Sequence, residues 1–187
     1  MTDLLPSQQA LRDRILKIVD DPQPFRSRTF LLLGESGTGK TFLSRTLANE
    51  DGFAYHNLAD ESWSPDLLHP AKSVDFVKRL VRQQSAHNKL LLDGITRLYL
   101  MHKLEWCRRI VTDFSDLAPR QFAFVILPIG DMPGSPDPLQ DSVQKWFADD
   151  DRLLRLDLTY EDIRQYCAGT GRVPLSGANL YEVQVTT

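Results

Sequence analysis

Apolar residues fall in two rhythms along this chain, short strand-like runs and helical repeats, and the two alternate over most of its length. The runs are Thr29–Leu33, Phe53–Leu58, Lys89–Asp93, Gln121–Leu127 and Leu153–Leu158. Each is short and bounded by polar or turn-forming residues, which predicts strands. Between them apolar residues recur at helical spacing. Leu11, Ile15, Leu16 and Val19 predict a helix over Ser7–Val19 with Ser7 as cap, and Lys40–Asn49 predicts a second. Val74, Val77, Leu80 and Val81 share a face of Ser73–Ser85, and Leu104, Ile110, Val111 and Phe114 share a face of His102–Leu117. Leu139–Ala148 and Tyr160–Ala168, the latter capped by Thr159, complete the set. Proline-bearing stretches separate the elements: DPQP after residue 20, ADESWSPDLLHP from residue 59 and PIGDMPGSPDP from residue 128. Strands that alternate with helices imply parallel pairing in a layered α/β sheet. The expected organisation is an N-terminal helix and linker over 1–28, a core over 29–168, and an irregular tail over 169–187 with one strand.

Composition narrows the class. The chain has 187 residues, 42% hydrophobic and 25% charged, which suits one globular domain. A net charge of −3 argues against global nucleic-acid binding and leaves a local basic patch open, for which Arg108 and Arg109 beside Trp106 are candidates; an exposed helix face explains them as well. Cys107 and Cys167 stand far apart, outside any CxxC, and read as reduced thiols; the four histidines lack metal-ligand spacing. The N-terminal MTDLLPSQQALRDR has no signal-peptide core, and no apolar run reaches the ~18 residues of a membrane span. The expectation is a soluble, cytoplasmic protein with no membrane partner.

One stretch carries chemistry outright. Gly34-Glu35-Ser36-Gly37-Thr38-Gly39-Lys40-Thr41 fits G-x-x-x-x-G-K-[ST] without a mismatch, after an apolar strand and at the start of a helix. The glycines let the backbone fold back and aim successive N–H groups inward, and the helix adds the positive end of its dipole. The cradle is expected to run from Gly34 to Phe42. Lys40 is expected on the β- and γ-phosphates and the Thr41 hydroxyl on Mg²⁺. Lys89-Leu90-Leu91-Leu92-Asp93 is an aliphatic run ending in an acid at the carboxyl end of a buried strand. Asp93 is the second expected Mg²⁺ ligand, opposite Thr41; as a bare strand-terminal Asp it would only cap the next turn. The predicted cofactors are therefore ATP and Mg²⁺. The guanine-reading N-K-x-D pattern is absent, which favours ATP over GTP.

These residues resemble the P-loop NTPases, and the order of motifs along the five strands looks like the AAA+ branch. That resemblance implies a three-layer core with about five mostly parallel strands. Asp151–Leu158 followed by Thr159-Tyr160-Glu161-Asp162-Ile163 looks like the fifth AAA+ strand and the entry to the lid. The residues that follow are too few for a complete helical lid, so a truncated or missing lid is expected. Two departures put hydrolysis in question. The position after the magnesium Asp, where the branch carries a catalytic acid, is Gly94, and the fourth strand ends in Leu127-Pro128-Ile129 without a polar sensor. Three readings follow. Hydrolysis is slow or absent; or a carboxylate comes from Asp60 or Glu61, after the second strand, which lies beside the P-loop strand in many such folds; or a neighbouring subunit completes the site, with Arg152 as a finger. The plainer readings are an exposed loop residue for Glu61 and a surface charge balancing Asp149–Asp151 for Arg152.

A narrower likeness covers Phe53–Pro128. YHNLADE, a proline-containing loop and helix, then LLLDGITRLY, a helix and an aliphatic strand ending in proline are similar to the small P-loop ATPase of BREX phage-defence systems. Ile95 and Leu98 fit that family's I-x-x-L spacing. The likeness implies an accessory ATPase in a multi-protein complex that meets DNA through its partners. The leading expectation is an ATP-binding AAA+-like accessory protein whose nucleotide controls assembly, as a homo-oligomer or with other proteins. The alternatives are a small-molecule or nucleoside kinase, which lacks its Arg-rich lid here, and a binding module stabilised by nucleotide without turnover.

Overall fold

Aliphatic runs with no polar alternation suit strands covered on both faces, and parallel sheets are built from such strands. In a computed structural model, which describes residues 3–21, 28–35, 37–58, 72, 75, 79, 89–94, 122–128, 153–170, 172–174 and 183–185, these runs form one sheet. The elements are α1 (Pro6–Asp20), β1 (Thr29–Gly34), α2 (Lys40–Glu50), β2 (Ala54–Asn57), β3 (Lys89–Asp93), β4 (Phe122–Pro128), β5 (Leu153–Arg155), α3 (Tyr160–Thr170), β6 (Arg172–Pro174) and β7 (Val183–Val185). The five-stranded sheet has the order β2-β3-β4-β1-β5. Every pairing in it is parallel.

Register sorts the side chains into two layers. Phe30 lies opposite Phe124, which lies opposite Leu91, while Leu32 lies between Ile126 and Leu154. These residues join Leu11 and Ile15 of α1 and Leu43 and Leu47 of α2 in one buried cluster. Phe124 stacks on Phe30 with ring centroids 5.2 Å apart and meets Phe53 at 5.9 Å. The alternate positions, Leu31, Leu33, Leu90, Leu92, Ala123 and Val125, are buried as well, so the central strands are covered on both sides. This is the α/β, parallel core expected of the alternating pattern.

Several boundaries moved for local reasons. The first helix starts at Pro6, whose missing N–H costs nothing at a first helical position, and Leu5 rather than Ser7 occupies the cap. β5 ends at Arg155, short of Leu158: Leu156 makes one more backbone bond to Leu33, and β1 then runs out at Gly34. The C-terminal stretch, expected to be irregular with one strand, contains two: β6 and β7 pair antiparallel as a separate sheet. Residues 72, 75 and 79 are helical, in line with the third predicted helix. The helices predicted over 102–117 and 139–148 lie outside the described residues. Among the described residues no helix is long and apolar enough to cross a membrane.

Candidate functional site

The carboxyl ends of parallel strands point to one edge of the sheet, and ligands of open α/β sheets gather there. The turn after β1 and the last residue of β3 both lie on that edge. Two of the turn's glycines have left-handed backbones, Gly37 at φ +83° and Gly39 at φ +85°. Close approach constrains the motif further. A Cβ on Gly34 would come 2.7 Å from the Leu156 carbonyl oxygen, and one on Gly39 would come 2.3 Å from Gln8 Nε2. The turn is pinned from within: the Thr38 hydroxyl donates to the Glu35 carbonyl at 2.9 Å.

Lys40 opens α2 and is nearly buried, at 8% exposure. A buried ammonium needs oxygen partners, and Nζ donates to the carbonyls of Gly34 and Glu35, each at 2.6 Å. No side chain caps α2, and its first turn holds no acidic residue. The helix itself therefore supplies no carboxylate to the positive end of its dipole.

Asp93 ties the turn to β3. The Thr41 hydroxyl donates to Asp93 Oδ2 at 2.9 Å, and Tyr55 on β2 donates its hydroxyl to the same oxygen at 3.0 Å. The other oxygen, Oδ1, accepts the backbone N–H of Gly94 at 2.7 Å. Gly94 sits at φ +76°, a conformation that strains any residue with a Cβ. The position where AAA+ proteins carry a catalytic acid is thus shaped here for glycine.

The first turn of α1 braces the loop from outside. Gln8 is 2% exposed; its Oε1 accepts the Leu5 N–H at 3.0 Å and its Nε2 donates to the Thr38 carbonyl at 3.0 Å. Ser7, one residue earlier, reaches α3. Its N–H and hydroxyl donate to the two oxygens of Asp162 at 2.8 and 2.6 Å. Thr159 caps α3 as expected, its Oγ1 accepting the Asp162 N–H at 3.3 Å, and its own N–H and hydroxyl donate to Asp162 Oδ2, each at 2.6 Å. Asp162 is fully buried. Burial pushes its carboxyl up, and the four donors from Ser7 and Thr159 outweigh that effect and hold it below the ordinary carboxylate value. At the far end of α1's contact with α2, Arg12 makes a forked pair with Asp51 at 2.8 and 2.9 Å and a further bond to Glu50 at 3.0 Å.

The expected cradle residues Gly34, Glu35, Gly37, Thr38, Gly39 and Lys40 lie along one turn, and Thr41 and Asp93 meet at its end. Phe42 follows on α2 and is 39% exposed. Ser36, Glu61 and Arg152 lie outside the described residues. One expectation about Glu61 is corrected by the topology: β2, which precedes it, is not beside the P-loop strand. The neighbours of β1 are β4 and β5, and β2 stands at the sheet edge beyond β3. Sequence reasoning missed Gln8, Tyr55 and Asp162. Only Asp162 carried a local sign, the Thr-x-x-Asp spacing of a capping box.

Hard oxygen donors suit Mg²⁺, and the paired Thr41 hydroxyl and Asp93 carboxylate are such a set. Among the described residues, no three or more His, Cys, Asp or Glu side chains gather as a self-sufficient metal site.

The sheet order, the turn after β1 and the acid on β3 together fit a P-loop NTPase-like core. No family model matches the sequence, and no curated protein matches it. Among solved structures 163 chains match the fold. One is katanin, an AAA ATPase, in a structure concerned with its self-assembly: TM-score 0.52, 16% identity, 94% of this chain covered. The match spans 59% of that katanin chain. At this identity the similarity is one of fold.

Proposed function

We propose that this protein binds ATP with Mg²⁺ in the cradle of residues 34–42 and that the bound nucleotide controls assembly with copies of itself or with other proteins. The observation that carries the nucleotide reading is the 2.9 Å contact between Thr41 and Asp93, in front of a complete G-x-x-x-x-G-K-T turn. In this reading the amides of the turn and the start of α2 receive the phosphates, and Lys40 moves from its carbonyl partners to phosphate oxygens. Thr41 and Asp93 hold the ion. Mg²⁺, when bound, supplies neutralisation of charge on the β- and γ-phosphate oxygens. Tyr55 and the Gly94 N–H keep the Asp93 carboxylate oriented.

Turnover by the isolated chain is slow in this account, because Gly94 offers no acid and its backbone disfavours one. A catalytic carboxylate from Glu61, or an arginine such as Arg152 acting across an interface, would have to complete the site. The assembly reading is supported by the katanin fold match, a structure concerned with that protein's self-assembly. The sequence likeness to the BREX ATPase suggests a defence complex on DNA as one setting. ATP can drive assembly only by binding the assembled state more tightly. Light scattering with and without ATP–Mg²⁺ tests this. A molar mass that rises with ATP–Mg²⁺, and does not rise in Lys40→Ala, supports the proposal; a mass unchanged by nucleotide contradicts the assembly half of it.

A further inference from the structure

We propose that Gln8 is a positioning residue for triphosphate binding, which sets the direction of the Gly39 amide through the Thr38–Gly39 peptide. The inference rests on the nucleotide reading of the loop and adds a residue outside its motif. A trans peptide is planar, so its C=O and N–H point in opposite directions. Gln8 Nε2 holds the Thr38 carbonyl from the α1 side at 3.0 Å. The Gly39 N–H of the same peptide is thereby directed away from α1. Left-handed residues have few steric restraints when they are glycine, and Gly37 and Gly39 both are. Their peptide planes can flip unless something outside the turn fixes them. Gln8 can do so because it is itself immobilised: it is 2% exposed and its Oε1 is engaged by the Leu5 N–H at 3.0 Å. The absence of a side chain at Gly39 admits this approach, since a Cβ there would lie 2.3 Å from Nε2. α1 is in turn anchored at Ser7 through Asp162 and at Arg12 through Asp51. The brace is therefore stiff.

Two variants separate positioning from simple helix support. Gln8→Glu keeps an acceptor for the Leu5 N–H and loses the donor to Thr38. Gln8→Met keeps the volume and loses both bonds. Arg12→Ala loosens α1 against α2 without touching the loop. Calorimetric titration with ATP–Mg²⁺ should show both Gln8 variants weakened about tenfold or more, and Arg12→Ala changed by less than about threefold. Equal affinity of the Gln8 variants and the wild type overturns the inference while leaving nucleotide binding intact. A loss in Arg12→Ala as large as in the Gln8 variants also overturns it, in favour of general helix docking. A wild type that binds no ATP removes both readings together. Should either Gln8 variant fail to fold, the wild type still decides. Its Gln8 side-chain amide signals and the Gly39 amide signal should shift together on adding ATP–Mg²⁺ in nuclear magnetic resonance spectra. A Gln8 signal that stays still while Gly39 shifts contradicts the inference.

Discussion

Asp93 gathers three donors on two oxygens: Thr41 and Tyr55 on one, the Gly94 N–H on the other. Such a carboxylate is oriented before any ion arrives, which lowers the ordering cost of binding. Asp93→Ala should therefore weaken the Mg²⁺ dependence of binding more than nucleotide affinity itself, read by titrating ATP at several Mg²⁺ concentrations. Lys40→Ala should lose triphosphate affinity by roughly a hundredfold or more, because charge-assisted bonds to phosphate disappear. Gly94 makes a sharper test of the site's chemistry. An acid placed there as Gly94→Glu should not produce fast turnover. It should instead destabilise the protein by about 1–2 kcal/mol, the cost of a left-handed residue with a Cβ, measured by denaturant unfolding beside an ADP-release assay. Fast turnover in that variant would contradict the backbone argument. Much of this scale was legible beforehand, because Gly34–Thr41 and Lys89–Asp93 are contiguous motifs whose spacing encodes their geometry. Tyr55 and Gln8 were not, since each acts across a gap of 38 or 30 residues that only the fold closes.

At the scale of elements, α1 is the piece that periodicity described least well. Its apolar stripe was plain, and Leu11 and Ile15 do pack in the core. Its polar first turn, which looked like a simple cap, joins the loop to α3. Ser7 spends its donors on Asp162, 155 residues away, rather than on its own helix. Asp162 joins two helix starts, and its removal should cost about 2–4 kcal/mol, since four donors lose their acceptor. Acid should narrow that difference. The folded carboxyl lies below its ordinary value, so its contribution is complete at neutral pH, begins to shrink near pH ~4 and is lost as pH falls through the lowered value. Unfolding midpoints of wild type and Asp162→Ala should converge on acidification; a constant gap down to low pH would mean that Asp162 acts by packing alone.

Over the whole molecule, alternation of strands and helices predicted the parallel α/β core, and the sheet contains it. What alternation does not encode is which strands become neighbours. The placement of β2 beside the P-loop strand failed for that reason: side-chain periodicity is local, whereas strand order follows from how crossovers return to the sheet. The order β2-β3-β4-β1-β5 sets β1 between β4 and β5 and puts Thr41 within a hydrogen bond of Asp93. One fold thus brings the loop, the acid of β3 and the braced start of α1 to a single edge. Polyphosphate binding at that edge is the central requirement. Isothermal titration calorimetry of the wild-type chain with ATP in the presence of Mg²⁺ tests it most directly. The account predicts a saturable, sub-millimolar, one-site curve that Lys40→Ala abolishes; no heat of binding, or a curve that Lys40→Ala leaves unchanged, would contradict it.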